Sequence, residues 1–270
     1  MLVFLIEIPA SKCQPINYHN RLMPAFMNQH LRPDLSLAAI FLLSCTAAFP
    51  GGAVKGKVIF DGEIPPRNIV NIPLAQVKNC GLKKAGQIPD NDLIISKDGG
   101  VKDFVITLTR EGQNVKPVKA VYDQKGCMFL TPVLIVPEGS TVEFKNSDPG
   151  IHNVRTTTFK NKPKNAALMS GMKLTTVFKA AEKIKLNCDF HPWMKGYIAV
   201  VKTNHYALTG KNGAFEIKDV PAGEYKFAAW HPVLGKAKIA ETGLESRSIK
   251  VEGGKTVSVT IKKKPKKKKK

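Results

Sequence analysis

Glycine and proline interrupt this sequence every few residues, and no long stretch keeps the apolar period of an amphipathic helix. Apolar and β-branched runs at residues 58–60, 101–109, 133–136, 141–144 and 197–201 are typical of short strands. With 43% hydrophobic and 23% charged residues, the composition favours a globular chain over a disordered one. The spacing of strands and turns therefore predicts an all-β protein built from sandwiches or barrels.

The formal net charge of +21 at pH 7 is unevenly distributed along the 270 residues. Eight lysines lie between Lys262 and Lys270, and a run of like charges is usually solvated and disordered. We expect a flexible tail over residues 262–270, which could also attract an anionic membrane or envelope surface. Nucleic-acid binding is not expected, because no recognition motif accompanies the lysines.

The first 50 residues have the order of an export signal. Arg32 precedes an apolar run at residues 35–43, and small residues follow that run. A basic region, a short apolar core and small residues at a cleavage site define a secretory signal, and this run is short for a membrane span. We predict a leader over residues 1–50 and a location in the periplasm or cell envelope. Cys45 resembles the lipid-bearing cysteine of a bacterial lipoprotein, so a lipid anchor there is the alternative to cleavage.

Three cysteines lie outside the leader, at Cys80, Cys127 and Cys188. In an exported protein an odd number indicates one disulfide and one leftover thiol. The economical assignment pairs Cys80 with Cys127 and leaves Cys188 available. Three unpaired buried cysteines are the alternative.

Cys188, His191 and Met194 form a C-x2-H-x2-M motif. A thiolate suits the cuprous ion, imidazole suits both oxidation states of copper, and a weak axial methionine is typical of blue copper centres. The alternating segment 184–187 predicts that Cys188 lies at the end of a strand. Pro192 restricts the backbone of the loop that follows. The motif therefore predicts most of a copper site in a single loop.

His152 is the best-placed second imidazole, because it follows a strand-like run and a cluster of turn residues. Its neighbour Asn153 could hydrogen-bond to the Cys188 loop and hold the ligands in place. His152, Cys188, His191 and Met194 together predict one type 1 copper ion. Zinc held by the cysteine, the two histidines and water is one alternative, and a structural cluster without metal is another.

The loop C-D-F-H-P-W-M-K-G at residues 188–196 and the segment P-V-L-I-V-P-E-G-S-T-V-E-F-K-N at 132–146 resemble the cupredoxin family. The loop is most similar to that of amicyanins and plastocyanins, and the resemblance is strongest over residues 120–202. It implies a Greek-key β-sandwich with copper at one end. It also implies that electrons pass through the exposed edge of His191, beside an apolar docking patch that includes Pro192 and Trp193.

The flanking sequence is similar to longer, methylamine-utilisation-type members of that family. Residues 204–261 alternate polar and apolar positions around glycine turns and resemble a carboxypeptidase regulatory-like (transthyretin-like) β-sandwich. The run at 54–62 resembles the opening strand of the same module. We predict a cupredoxin-like domain at 51–203 and a second small sandwich at 204–261, arranged either in sequence or split. The basic stretch 154–178 is expected to be a solvated loop or a lid.

These features predict an exported protein that carries single electrons on one copper ion between redox partners, for example a cytochrome or a dehydrogenase. The alternative is an envelope-associated copper-binding or interaction protein without an electron-carrier role. An enzyme is not expected. The six histidines are too few for the additional trinuclear cluster of a multicopper oxidase, by family resemblance. No nucleophile elbow or phosphate-binding loop is present in the sequence.

Overall fold

The computed structural model describes residues 51–83, 86–237 and 248–264, and these residues confirm the predicted all-β fold. Their regular elements are eighteen strands and one 3-10 turn at Leu74–Gln76. The strands are β1 (Gly52–Phe60), β2 (Ile69–Ile72), β3 (Gly86–Pro89), β4 (Val105–Thr109), β5 (Lys119–Gln124), β6 (Val133–Pro137), β7 (Ser140–Asn146), β8 (His152–Thr157), β9 (Asn165–Leu168), β10 (Lys173–Phe178), β11 (Glu182–Asn187), β12 (Lys195–Val201), β13 (His205–Leu208), β14 (Ala214–Val220), β15 (Gly223–His231), β16 (Gly235–Ala237), β17 (Ser248–Val251) and β18 (Thr256–Lys263).

The predicted leader, including Cys45, and residues 265–270 of the predicted tail lie outside the described residues. Within the described ranges, no helix is long and apolar enough to cross a membrane.

The first hydrophobic core lies between the sheet β14-β1-β18 and the sheet β13-β4-β15-β16, with β17 paired to β15. Alternate residues of the facing strands point inward, as in β15, where Tyr225, Phe227 and Ala229 are buried. We call this unit the first sandwich. Its strands β1 and β4 come early in the chain, whereas β13 to β18 come late. The predicted domain boundary at residue 203 stays a prediction, but the strands of this core come from both sides of it.

The second hydrophobic core lies between the sheet β10-β7-β5 and the five-stranded sheet β6-β12-β11-β8-β9. In β7 buried and partly exposed residues alternate, so that Val142 and Phe144 enter this core. The pairs β5–β7 and β6–β12 are parallel, and the other pairs in these two sheets are antiparallel. We call this unit the second sandwich, and one of its ends holds the candidate site.

The two sandwiches meet through a third, smaller apolar cluster that includes Val105, Val133, Ile135 and Ala199. As a result β12 is buried on both faces: Ile198 faces the second core, whereas Ala199 faces the neighbouring sandwich. A strand that is buried on both faces has a nearly continuous apolar sequence rather than an alternating one. This explains the uninterrupted apolar run of β12.

Three sequence-based expectations about element boundaries need correction. The strand predicted over 101–109 begins only at Val105, because Asp103 adopts a left-handed conformation with a φ of 61°. The stretch 154–178, expected to be a loop or lid, contains most of β8 and all of β9 and β10. The expected tail begins later than residue 262, because β18 runs parallel to β1 as far as Lys263.

Strands β2 and β3 form a small two-stranded sheet that is separate from both sandwiches. We define residues 69–83, which contain β2 and the 3-10 turn, as the cap segment. Ile72 of this segment is buried in the second core. A disulfide joins Cys80 to Cys127, so the predicted pairing is present and Cys188 is the free cysteine among the described residues.

Candidate metal centre

Three buried side chains converge at one end of the second sandwich. His152 is the first residue of β8, and Cys188 directly follows β11. These strands are antiparallel, with Asn187 opposite Arg155, so the start of β8 and the end of β11 lie at the same edge of the sheet. His191 lies three residues beyond Cys188, in the loop that leads to β12.

The loop from Cys188 to β12 is closed by its own backbone hydrogen bonds. The amide of Cys188 donates to the carbonyl of Met194 at 3.3 Å, and the amide of Met194 donates to the carbonyl of His191 at 2.8 Å. Met194 is fully buried and belongs to the same core as Cys188. Its assignment as a weak axial ligand stays a prediction.

The three possible ligand atoms are close enough to share one ion. His152 Nδ1 lies 3.0 Å from His191 Nδ1, and Cys188 Sγ lies 3.8 Å and 3.7 Å from these two nitrogens. A point equidistant from the three atoms lies about 2 Å from each, close to the usual lengths of metal bonds to imidazole and thiolate. His152 is 0% exposed, and Cys188 and His191 are each 2% exposed. The geometry therefore fits a small, buried metal ion.

The far nitrogen of each imidazole is already committed to a hydrogen bond. His152 Nε2 donates to Asp148 Oδ2 at 2.8 Å, and His191 Nε2 donates to Gln76 Oε1 at 3.2 Å. In neutral rings with these tautomers, both Nδ1 atoms present lone pairs to each other. Two buried lone pairs at 3.0 Å need a positive charge nearby. A proton or a metal cation supplies it.

The ionisation of the cluster follows from the same contacts. Burial alone would raise the pKa of the Cys188 thiol, but its hydrogen-bond contacts with His152 and His191 outweigh this effect and lower that pKa to about 6. Burial alone would lower the pKa of His152, but Asp148 and Cys188 raise it to about 9. The site thus favours the thiolate, which is the metal-binding form of cysteine.

Asn153 connects β8 to the Cys188 loop, which is the role expected of it from the sequence. Its backbone amide donates to Cys188 Sγ at 3.5 Å. Its side chain accepts a hydrogen bond from the amide of Asp189 at 2.5 Å and donates to the Asp189 carboxylate at 2.8 Å. These bonds fix the position of Cys188 relative to His152.

Two residues that hold the imidazoles were missed from the sequence. Asp148 lies in the turn before His152, where the sequence indicated only a turn, and its carboxylate accepts the amides of Gly126 and Cys127. A carboxylate four positions before a candidate ligand was the available signal. Gln76 is 115 residues from its partner His191 and gave no signal in the sequence.

The expected docking patch differs from the structure in one respect. The edge of His191 is not exposed, because Gln76 lies against it and Trp193 packs edge-on at 5.3 Å. Trp193 also donates from Nε1 to the carbonyl of Cys127 at 3.1 Å. Pro192 is exposed, and Phe190 is 47% exposed. The use of this surface by a partner stays a prediction.

No protein-family model and no curated protein matches this sequence. Solved structures are similar to part of it. A purple cupredoxin from Nitrosopumilus maritimus is 32% identical over 26% of this chain and 77% of its own, with a TM-score of 0.23. Amicyanin from Paracoccus versutus is 24% identical over 36% of this chain and 97% of its own, with a TM-score of 0.27.

A copper-containing nitrite reductase from Thermus scotoductus is 26% identical over 36% of this chain, with a TM-score of 0.31. The match spans 26% of that enzyme's chain. Each match covers a minor part of the present chain, so the assignment of ligands rests on the geometry above. The resemblance of residues 204–261 to a carboxypeptidase regulatory-like module stays a prediction.

Proposed function

We propose that this protein is an exported type 1 copper protein that carries single electrons between redox partners. The observation that supports this most directly is the convergence of two imidazole nitrogens and one thiolate sulfur, 3.0 to 3.8 Å apart, in a buried site. Copper held by this donor set would supply a one-electron couple. The disulfide between Cys80 and Cys127 supports export, because such bonds persist in oxidising compartments.

The hydrogen bonds around the donors also suit a carrier. Asp148 holds His152, Gln76 holds His191, and Asn153 holds Cys188. The bonds to the two imidazoles are made by Nε2, so they do not occupy Nδ1, the nitrogen that faces the other candidate ligands. The side chains are therefore held in one arrangement by the protein itself, and little rearrangement would accompany a change of one charge.

The proposed partner is a cytochrome or a dehydrogenase with an acidic surface. The chain carries a formal net charge of +21, and complementary charge accelerates encounter between redox proteins. We propose a carrier rather than an enzyme. Three possible ligand groups overlap at this end of the described structure, and only the group of His152, Cys188 and His191 contains a cysteine that is not in a disulfide.

The proposal is tested by titrating purified protein with Cu(II) and recording its visible spectrum. We expect an intense thiolate-to-copper band that saturates at one copper per chain. The band should be absent in Cys188→Ser and in His191→Gln. His205→Gln is the matched control, because His205 packs against Tyr225 in the first sandwich and should leave the colour unchanged. A colourless copper complex, or colour that survives Cys188→Ser, would overturn the proposal.

One observation favours the alternative of copper binding without electron transfer. His191 is buried behind the cap segment, so its imidazole edge offers no direct contact to a partner. Protein-film voltammetry and stopped-flow mixing with a cytochrome distinguish the two functions. A reversible one-electron couple with fast exchange supports the carrier, whereas transfer of the metal to an acceptor without redox cycling supports the alternative.

A further inference from the structure

The cap segment (residues 69–83) covers the side of the candidate site that the loop histidine would otherwise present to solvent. Gln76 Oε1 accepts the hydrogen bond from His191 Nε2 at 3.2 Å. The sulfur atoms of Cys80 and Cys127 lie within 4.8 Å of a ring nitrogen of His191. The imidazole is therefore enclosed by residues that are distant from it in sequence.

The cap segment is attached to the second sandwich by a disulfide, by a backbone hydrogen bond and by apolar packing. The disulfide joins Cys80 to Cys127. The amide of Gly150 donates to the carbonyl of Asn79 at 2.9 Å, and a Cβ at Gly150 would lie only 2.7 Å from that carbonyl oxygen. Ile72 is buried in the second core. These attachments hold the turn that carries Gln76 against the loop of the candidate ligands.

We propose that Gln76 is a positioning residue of the candidate copper centre, held in place by the disulfide between Cys80 and Cys127. The amide oxygen of Gln76 can only accept a hydrogen bond, so it selects the tautomer of His191 with the proton on Nε2. That tautomer leaves Nδ1 free to bind a metal. Gln76 thus does for His191 what Asp148 does for His152, but without a negative charge.

This inference rests on the proposed function for its effect on copper, but its first test does not need copper. In the metal-free protein, the Nε2 proton of His191 should give a slowly exchanging signal in a nitrogen-15 spectrum of the histidine rings. Gln76→Ala should remove that protection. Gln76→Glu should restore it, because a carboxylate oxygen also accepts the bond. Leu74→Ala is the matched control, because Leu74 lies on the same turn and is exposed.

The second test measures copper release to excess chelator from the loaded protein. Loss of an outer hydrogen-bond partner typically weakens metal binding about 10- to 100-fold, so release from Gln76→Ala should be faster by a similar factor. The double variant Cys80→Ser with Cys127→Ser should change release in the same direction. Because that variant could lose its fold, circular dichroism is recorded with it, and Gln76→Ala decides the outcome.

The two proposals fail in different ways. Equal Nε2 proton exchange in the unmodified protein and in Gln76→Ala would overturn the role of Gln76, whatever the colour of the copper complex. Release from Gln76→Ala that is no faster than from Leu74→Ala would also overturn it. If no coloured complex forms while the Nε2 proton remains protected by Gln76, the positioning contact stands and the copper function fails.

Discussion

The two sandwiches have similar layers but use buried histidines in opposite ways. In the first sandwich, His231 Nδ1 accepts the backbone amides of Val233 and Leu234, and its ring packs against Phe104 at 5.3 Å. In the second, His152 Nδ1 lies against two other possible metal ligands, His191 Nδ1 and Cys188 Sγ. Burial alone therefore does not identify a ligand. The criterion is whether Nδ1 accepts backbone amides, as in His231, or lies against other possible metal ligands, as in His152.

The strongest test of this comparison replaces each of the two histidines by glutamine in a separate variant. His152→Gln should abolish the thiolate-to-copper band, because one of three convergent donors is lost. His231→Gln should keep the band but lower the free energy of unfolding by about 1 to 3 kcal/mol, because buried amides lose their acceptor. Visible absorption and urea denaturation measure the two effects. Loss of colour in His231→Gln would show that the two histidines are not functionally distinct.

A second prediction concerns how independent the two cores are. Phe144→Ala in the second core and Phe227→Ala in the first should each lower the free energy of unfolding by about 3 to 5 kcal/mol. The apolar cluster around Val133 and Ala199 joins the sandwiches, so we expect one cooperative transition in calorimetry for both variants. Two transitions, only one of which moves, would instead show that the sandwiches unfold separately.

A smaller effect is expected at the carboxylate behind His152. Asp148→Asn removes the negative charge that His152 Nε2 donates to and weakens the bonds from Gly126 and Cys127. Copper affinity should fall about 10- to 100-fold, and competition with a chelator measures it. Asp98→Asn, at an exposed site remote from the cluster, is the control. Equal affinity in both variants would contradict the role assigned to Asp148.

The smallest predicted effect is a pH-dependent change in the free energy of unfolding, caused by Glu182, which accepts hydrogen bonds from the loop between β8 and β9. Burial alone would raise the pKa of Glu182, but hydrogen bonds from the Asn161 side chain and from the amides of Phe159, Lys160 and Asn161 lower it. A lowered pKa means that the stabilisation is present above the unfolded-state value and is lost as the pH falls through the folded-state value.

Glu182→Gln should therefore reduce the free energy of unfolding at pH 7 by less than about 1 kcal/mol, since the carboxylate is partly solvated. The difference from the unmodified protein should shrink below about pH 4. Denaturation curves at several pH values check this, with the exposed Glu224→Gln as the control. A difference that is independent of pH would show that the charge of Glu182 is not the cause.

Much of the local structure was predictable from the sequence because it depends on neighbours along the chain. Runs of β-branched residues between turn residues located β6, β7 and β12 within a few residues. The expected loop at 154–178 was wrong for the same reason, since β9 and β10 are short and half exposed and have a weak apolar pattern. A strand is hard to predict from sequence when only one of its faces is buried and that face contributes only one or two buried residues.

The sequence by itself determined the all-β class and the spacing that places Cys188 and His191 in one short loop, and it indicated the disulfide by counting cysteines. Only the tertiary structure decided that Gln76 encloses His191, that Asp148 takes the far nitrogen of His152, and that the first core is assembled from both ends of the described chain. The physical reason is the distance along the chain between the residues that interact. Periodicity and motif spacing report backbone conformation and burial over a few residues, whereas these contacts depend on the path of the chain between residues that are distant in sequence.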